Sequence, residues 1–202
     1  MRPTEERTLE LLRGSGSLLT GHFKLTSGLH SGEYCQCARA LERPEVALEL
    51  GRMLAGLFPG TAIDVVASPA LGGILIGHEV ARSLRVRSIF AERQEGEMTF
   101  RRGFTVAPGE RVLIVEDVMT TGGSVREVAA LVARGGARVV GFGFILDRSA
   151  STPDLGAPVR SLLRRHMEAH EPDRCPLCAA GAPIVKPGSR PDGAAVESGR
   201  ER

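Results

Sequence analysis

The stretch "ERVLIVEDVMTTGGSVREVAALVARGGARVV", residues 110–140, passes from an apolar run through two acids and a loop of hydroxyls and glycines into a helix-like pattern. Four consecutive aliphatic residues, Val112 to Val115, fit a strand buried on both faces. After Ser124 a helical pattern runs to Gly135 and Gly136, where two glycines stop it, and a second apolar run opens a new strand. Strand, loop, helix and strand in this order predict a parallel sheet with a right-handed crossover.

The flanking chain repeats the theme. Residues 62–86, "AIDVVASPALGGILIGHEVARSLRV", give a short strand, a loop and a helix, and "RPEVALELGRMLAGLF", residues 43–58, is an amphipathic helix opened by a proline. A helix is also expected over residues 4–13, followed by short extended pieces in "GHFKLTSGLHSGEYCQCARAL", residues 21–41. In "RSIFAERQEGEMTFRRGF", residues 87–104, a strand is expected to dissolve into a charged, mobile segment without apolar periodicity. The expected fold is α/β, a doubly wound parallel sheet with ligand chemistry at the carboxyl ends of its strands, where loops begin at Ser68, Ala91, Glu116 and Asp147. The expected division is an N-terminal helix and hood over 1–40, an α/β core over 41–160, a C-terminal extension over 161–187 and a disordered tail over 188–202.

Composition bounds the function. The 202 residues are 42% hydrophobic and carry a formal net charge of +2, enough for a full core and too balanced to suggest nucleic acid or an anionic membrane as partner. There is no membrane-length apolar run, the charged N-terminus lacks a signal peptide's apolar region, and the four cysteines form two close pairs rather than a disulfide framework. A cytoplasmic location is expected.

The glycines and Ser124 ahead of the helix offer backbone N–H groups and a hydroxyl at the positive end of a helix dipole, a cradle for one phosphate. No lysine follows them, so this is not an ATP-type loop. Glu116 and Asp117 would repel a polyphosphate but suit the vicinal hydroxyls of a ribose or a bound Mg²⁺. The composite resembles the phosphoribosyl diphosphate (PRPP) motif of type I phosphoribosyltransferases. The segment with Ser27, Gly28 and Tyr34, together with "FAERQEGEMTFRRGF" and "ILDR", is similar to orotate phosphoribosyltransferases in particular.

That resemblance implies transfer of a phosphoribosyl group from PRPP to orotate, with Mg²⁺, by a homodimer whose catalytic loop reaches into the partner subunit. It implies that Glu116 and Asp117 hold the ribose and that Val118, Met119, Thr120, Thr121, Gly122, Gly123 and Ser124 form the 5-phosphate loop. By the same resemblance Leu71 and Gly72, in "SPALGG", receive diphosphate; Thr120, Arg148 and Tyr34 meet orotate; and Arg93 contacts PRPP. Arg101 and Arg102 fall in the catalytic loop, where they can neutralise diphosphate in place of the family's lysines and histidine. Better-known members of the family carry lysines at the positions of Gly72 and Thr26, and Lys24 lies too near to dismiss as a substitute and too displaced to assign as one. For Tyr34 core packing is an equal alternative, and for Cys35 and Cys37 both buried thiols and a redox pair are open.

"HMEAHEPDRCPLC", residues 166–178, offers His166, His170, Cys175 and Cys178 as a tetrahedral zinc set, provided residues 160–170 are helical. The other reading is a plain lid or dimer-contact segment. Two further functions compete with the first: transfer to a purine base, and a PRPP-sensing regulator without turnover.

Overall fold

The computed structural model describes residues 2–25 and 27–187. Thr26 and the expected tail over 188–202 lie outside the described residues. In chain order the elements are α1 (Pro3–Gly14), β1 (Leu18–Lys24), β2 (His30–Cys35), α2 (Ala38–Leu41), α3 (Pro44–Ala55), β3 (Val65–Pro69), α4 (Gly72–Leu84) and β4 (Arg87–Gln94). There follow β5 (Glu97–Phe100), β6 (Arg111–Met119), α5 (Gly123–Arg134), β7 (Arg138–Asp147), β8 (Val159–Arg164), β9 (Ala169–His170) and α6 (Pro176–Ala179). Two compact units result, one of residues 1–19 and 35–166, the other of 20–34 with the C-terminal segment from Met167.

The larger unit is a six-stranded sheet in the order β5-β4-β3-β6-β7-β8. Its strands from β4 to β8 run parallel, as the doubly wound reading requires, and β5 adds an antiparallel edge. Alternation assigns the faces: Val65, Ala67, Val112, Ile114, Phe142 and Phe144 pack with Val125, Val128 and Val132 of α5. Alternating with the two phenylalanines, Gly141 and Gly143 leave room for Phe58 and Leu54 from the α3 side. Asp64 and Arg111 fasten the starts of β3 and β6, Arg111 Nε donating to Asp64 Oδ2 at 2.8 Å, and this partner holds the Asp64 carboxyl well below the usual range.

The charged segment after β4 is not structureless. Glu95 and Gly96, at φ 53° and 89°, make a two-residue turn of the type that matches strand twist, and Ala91 to Gln94 then pair with Phe100 back to Glu97. The alternation of Met98 and Phe100 drives this, since Met98 is buried while Glu97 is exposed.

In the smaller unit β2 pairs antiparallel with β9, His30 opposite His170 and Ser31 opposite Ala169. Ser31 Oγ donates to the Glu168 carbonyl at 2.7 Å, and Val185 bridges beside Phe23. Among the described residues no helix is long and apolar enough to cross a membrane.

Candidate active site

β6 delivers Glu116 and Asp117 at its end, next to the start of α5. Gly122 turns the chain there at φ 76°, a left-handed conformation that favours glycine, and caps α5. By the geometry of a helix, the amides of Gly123 to Val125 have no intrahelical acceptor and face outward at the positive pole. Thr120, Thr121 and Gly123 are exposed and Val118 is half-buried, whereas Met119 is fully buried and anchors the loop to the core. Ser124 Oγ donates to both oxygens of Glu116, at 2.8 and 2.9 Å. Burial nevertheless pushes the Glu116 carboxyl up to about 7, with the Asp117 charge adding to the rise. Asp117 is also pushed up by burial, and its Oδ1 accepts the Val118 N–H at 2.9 Å. Two half-buried carboxylates with raised proton affinity and spare lone pairs are suited to accept hydroxyl donors or to meet a cation.

The β3–α4 loop closes on the same place. Leu71 is 84% exposed, and the Ala70–Leu71 peptide is cis. Gly72 lies against Asp117 so closely that a Cβ there would stand 2.7 Å from Oδ1. A side chain at this position therefore requires the carboxylate to move.

Arg148 follows β7, and its backbone N–H donates to the Met119 carbonyl at 2.9 Å, placing it beside Thr120. Its Nε is buried and has no hydrogen-bond partner among the described residues, a donor left for an external acceptor. Asp147, which the sequence marked only as the start of a loop, anchors it: 2% exposed, it accepts Ser149 N–H at 2.9 Å and Thr152 Oγ1 at 3.2 Å and faces Arg164 Nε at 3.7 Å.

The hairpin arginines are all occupied by acids. Arg93 donates to Glu127 of α5 at 2.6 Å and to the Gly96 carbonyl at 2.7 Å. Arg102, itself left-handed at φ 57°, donates to Glu92 at 3.1 Å, and Arg101 stands 3.6 Å from the same carboxylate. Glu92 and Glu127 are thus the partners of these cations, and neither acid was singled out in the sequence, although Glu92 lies within the stretch that carries the resemblance.

In the smaller unit Tyr34 packs its ring on Phe23, centroids 5.8 Å apart. In the larger unit Cys35 and Cys37 are buried free thiols with sulfurs 3.6 Å apart, and Cys37 is pushed up by its hydrogen bond to Cys35 and by burial. The expected helix over 160–170 is instead strand β8 followed by β9, so His166 and His170 share no helix face. His170 lies opposite His30 across the ladder, with Nε2 3.8 Å from Glu168 Oε2. The zinc set built on His166 and His170 is therefore corrected: Cys175 and Cys178 meet His22 and His30 instead.

Comparison with known proteins agrees with this geometry. The phosphoribosyl transferase domain matches residues 38–172. The orotate phosphoribosyltransferase of Pelotomaculum thermopropionicum is 50% identical over 187 residues, 93% of this chain and 98% of the relative. That of Thermotoga maritima is 50% identical over 90% of this chain and 97% of its own. Among solved structures, Mycobacterium tuberculosis orotate phosphoribosyltransferase in complex with inorganic phosphate superposes with a TM-score of 0.66 at 25% identity, over 81% of this chain and 96% of that one. An adenine phosphoribosyltransferase from Thermoanaerobacter pseudethanolicus, at 23% identity and a TM-score of 0.58 over 66% of this chain and 88% of that one, shares the fold. With a half-buried acid pair running into a helix-capped anion loop and near-full-length similarity of this degree, the chain belongs to the phosphoribosyltransferase family, among its orotate phosphoribosyltransferases.

Proposed function

We infer that the chain transfers the 5-phosphoribosyl group of PRPP to orotate, giving orotidine 5′-phosphate and diphosphate in pyrimidine synthesis. The observation that carries this reading is the loop from Glu116 to Ser124 in a chain half identical, along 93% of its length, to orotate phosphoribosyltransferases.

The ribose hydroxyls donate to Glu116 and Asp117, which face them as ionised acceptors once ligand binding offsets their burial. The 5-phosphate accepts from the amides of residues 121–125 and displaces the Ser124 hydroxyl from Glu116. Diphosphate departs toward the Leu71–Gly72 backbone while positive charge grows on the sugar ring, so the fixed geometry of the clamp, rather than a strong base, does the catalytic work. Orotate is already an anion, and the free Nε of Arg148 can meet its carboxylate or carbonyl oxygens. Arg93, Arg101 and Arg102 serve the leaving group after release from Glu127 and Glu92. The hard oxygens of Glu116 and Asp117 fit Mg²⁺ arriving with PRPP; when bound, it neutralises charge on the departing diphosphate. The chain works in the cytoplasm as a homodimer whose 92–104 segment is shared between subunits.

Purified full-length chain incubated with PRPP, Mg²⁺ and in turn orotate, adenine, guanine and hypoxanthine should release diphosphate only with orotate. Turnover with a purine instead, or PRPP binding without any turnover, overturns the assignment.

A further inference from the structure

Outside the transferase site, the smaller unit gathers two imidazoles and two thiols that the reaction does not use. His22 lies on β1, His30 on β2, and Cys175 and Cys178 flank the first turn of α6. Their ligand atoms all fall within 4.8 Å of one another, and three of the four residues are buried. We propose that His22, His30, Cys175 and Cys178 form a tetrahedral binding site for one zinc ion that staples the β1–β2 hairpin to the C-terminal segment.

The distances match the metal better than they match a plain hydrogen-bond cluster. Zinc–nitrogen bonds of about 2.05 Å and zinc–sulfur bonds of about 2.3 Å place tetrahedral ligand atoms about 3.3 Å apart for N and N, and about 3.6 Å for N and S. Here His22 Nε2 stands 3.1 Å from His30 Nδ1. Cys175 Sγ is 3.5 Å and Cys178 Sγ 3.7 Å from His22 Nε2, and Cys178 Sγ is 3.2 Å from His30 Nδ1. A second feature is independent of those spacings. His22 Nδ1 lies 2.8 Å from the Ala182 carbonyl, an acceptor that fixes the proton on Nδ1 and leaves a lone pair on Nε2 pointing into the cluster. Backbone bonds from Val185 N–H to the His22 carbonyl at 2.8 Å and from Lys24 N–H to the Val185 carbonyl at 2.9 Å hold the same two segments in register around the ligands.

The donor types select the ion. Two sulfurs and two imidazole nitrogens suit zinc and disfavour Mg²⁺, which asks for octahedral oxygen. With four protein ligands no position is left for substrate, so the ion is structural. Binding releases the two thiol protons to solvent, and the ion remains divalent throughout. The site is independent of the transferase reading and can fail without it.

Untagged full-length protein, purified without chelator, should hold about one zinc per chain by mass spectrometry of the metals. After zinc removal, Co²⁺ should give thiolate-to-cobalt charge transfer and the strong visible bands of tetrahedral cobalt. The Cys175→Ser/Cys178→Ser and His22→Ala/His30→Ala pairs should lower metal retention at least about tenfold, while His166→Ala/His170→Ala retains it. Chelator treatment should also lower Tm. Absence of both zinc and a thiolate–cobalt spectrum in the unmodified protein overturns the proposal even if every variant misfolds. So does a Cys175–Cys178 disulfide in protein kept under reductant, or loss of metal on replacing His166 and His170.

Discussion

Gly72 and Asp117 touch although no local motif joins them, and this contact sets what position 72 can hold. Gly72→Ala should push the Asp117 carboxylate aside and reduce kcat/KM for PRPP by about tenfold, and Gly72→Lys by more, with circular dichroism unchanged. Asp117→Asn keeps the shape but loses the anionic acceptor. A drop of about 100-fold in turnover with an unaltered melting curve is expected, and near-normal turnover would refute the clamp. Glu116 adds a pH dependence. Because burial raises its carboxyl from 4.5 to about 7, the folded state favours the protonated form, and the stability this confers at low pH is lost as pH rises through about 7. Tm of the ligand-free protein should therefore fall between about pH 5 and about pH 8, and kcat/KM for PRPP should rise over the same window. Both slopes should flatten in Glu116→Gln. The clamp was legible because its residues are contiguous, so a strand end, two acids and a helix start could be read from one short window. The partners of the CxxC pair were not: His22 and His30 sit on a distant hairpin, where neither carries a local cue.

Hydrophobic period settled most elements and failed where a strand was short or charged. Residues 95 and 96 form the tightest of turns, and the inward pair Met98 and Phe100 was the available signal, masked by the charges around it. In "VRSLLR" two adjacent leucines obscure the alternation, and only pairing with β7 makes the segment a strand. The loop after β7 is an element held by one buried acid. Asp147→Ala removes the acceptor of Ser149 and Thr152 and leaves Arg164 unpaired. A loss of about 1–3 kcal/mol in urea unfolding is expected, the figure kept low because Arg164 is half exposed. Since Arg148 hangs from this loop, KM for orotate should rise more than kcat falls.

For the whole molecule, the sheet order follows from simple rules of parallel crossovers, which is why the architecture could be anticipated from alternating strands and helices. If the 92–104 segment is shared between subunits as proposed, mixing Asp117→Asn with Arg101→Ala/Arg102→Ala, each largely inactive alone, should recover roughly a quarter of the activity through hybrid dimers with one sound centre. No recovery after subunit exchange would show that each chain closes its own site. The grouping of residues 20–34 with the segment from Met167 has a consequence for biosynthesis. The ribosome makes the hairpin near the beginning and its strand partner close to the end, so the intervening sheet is complete before those early residues can find their mates. A nascent chain stalled just after His166 would display an orphaned hairpin, a natural target for chaperones.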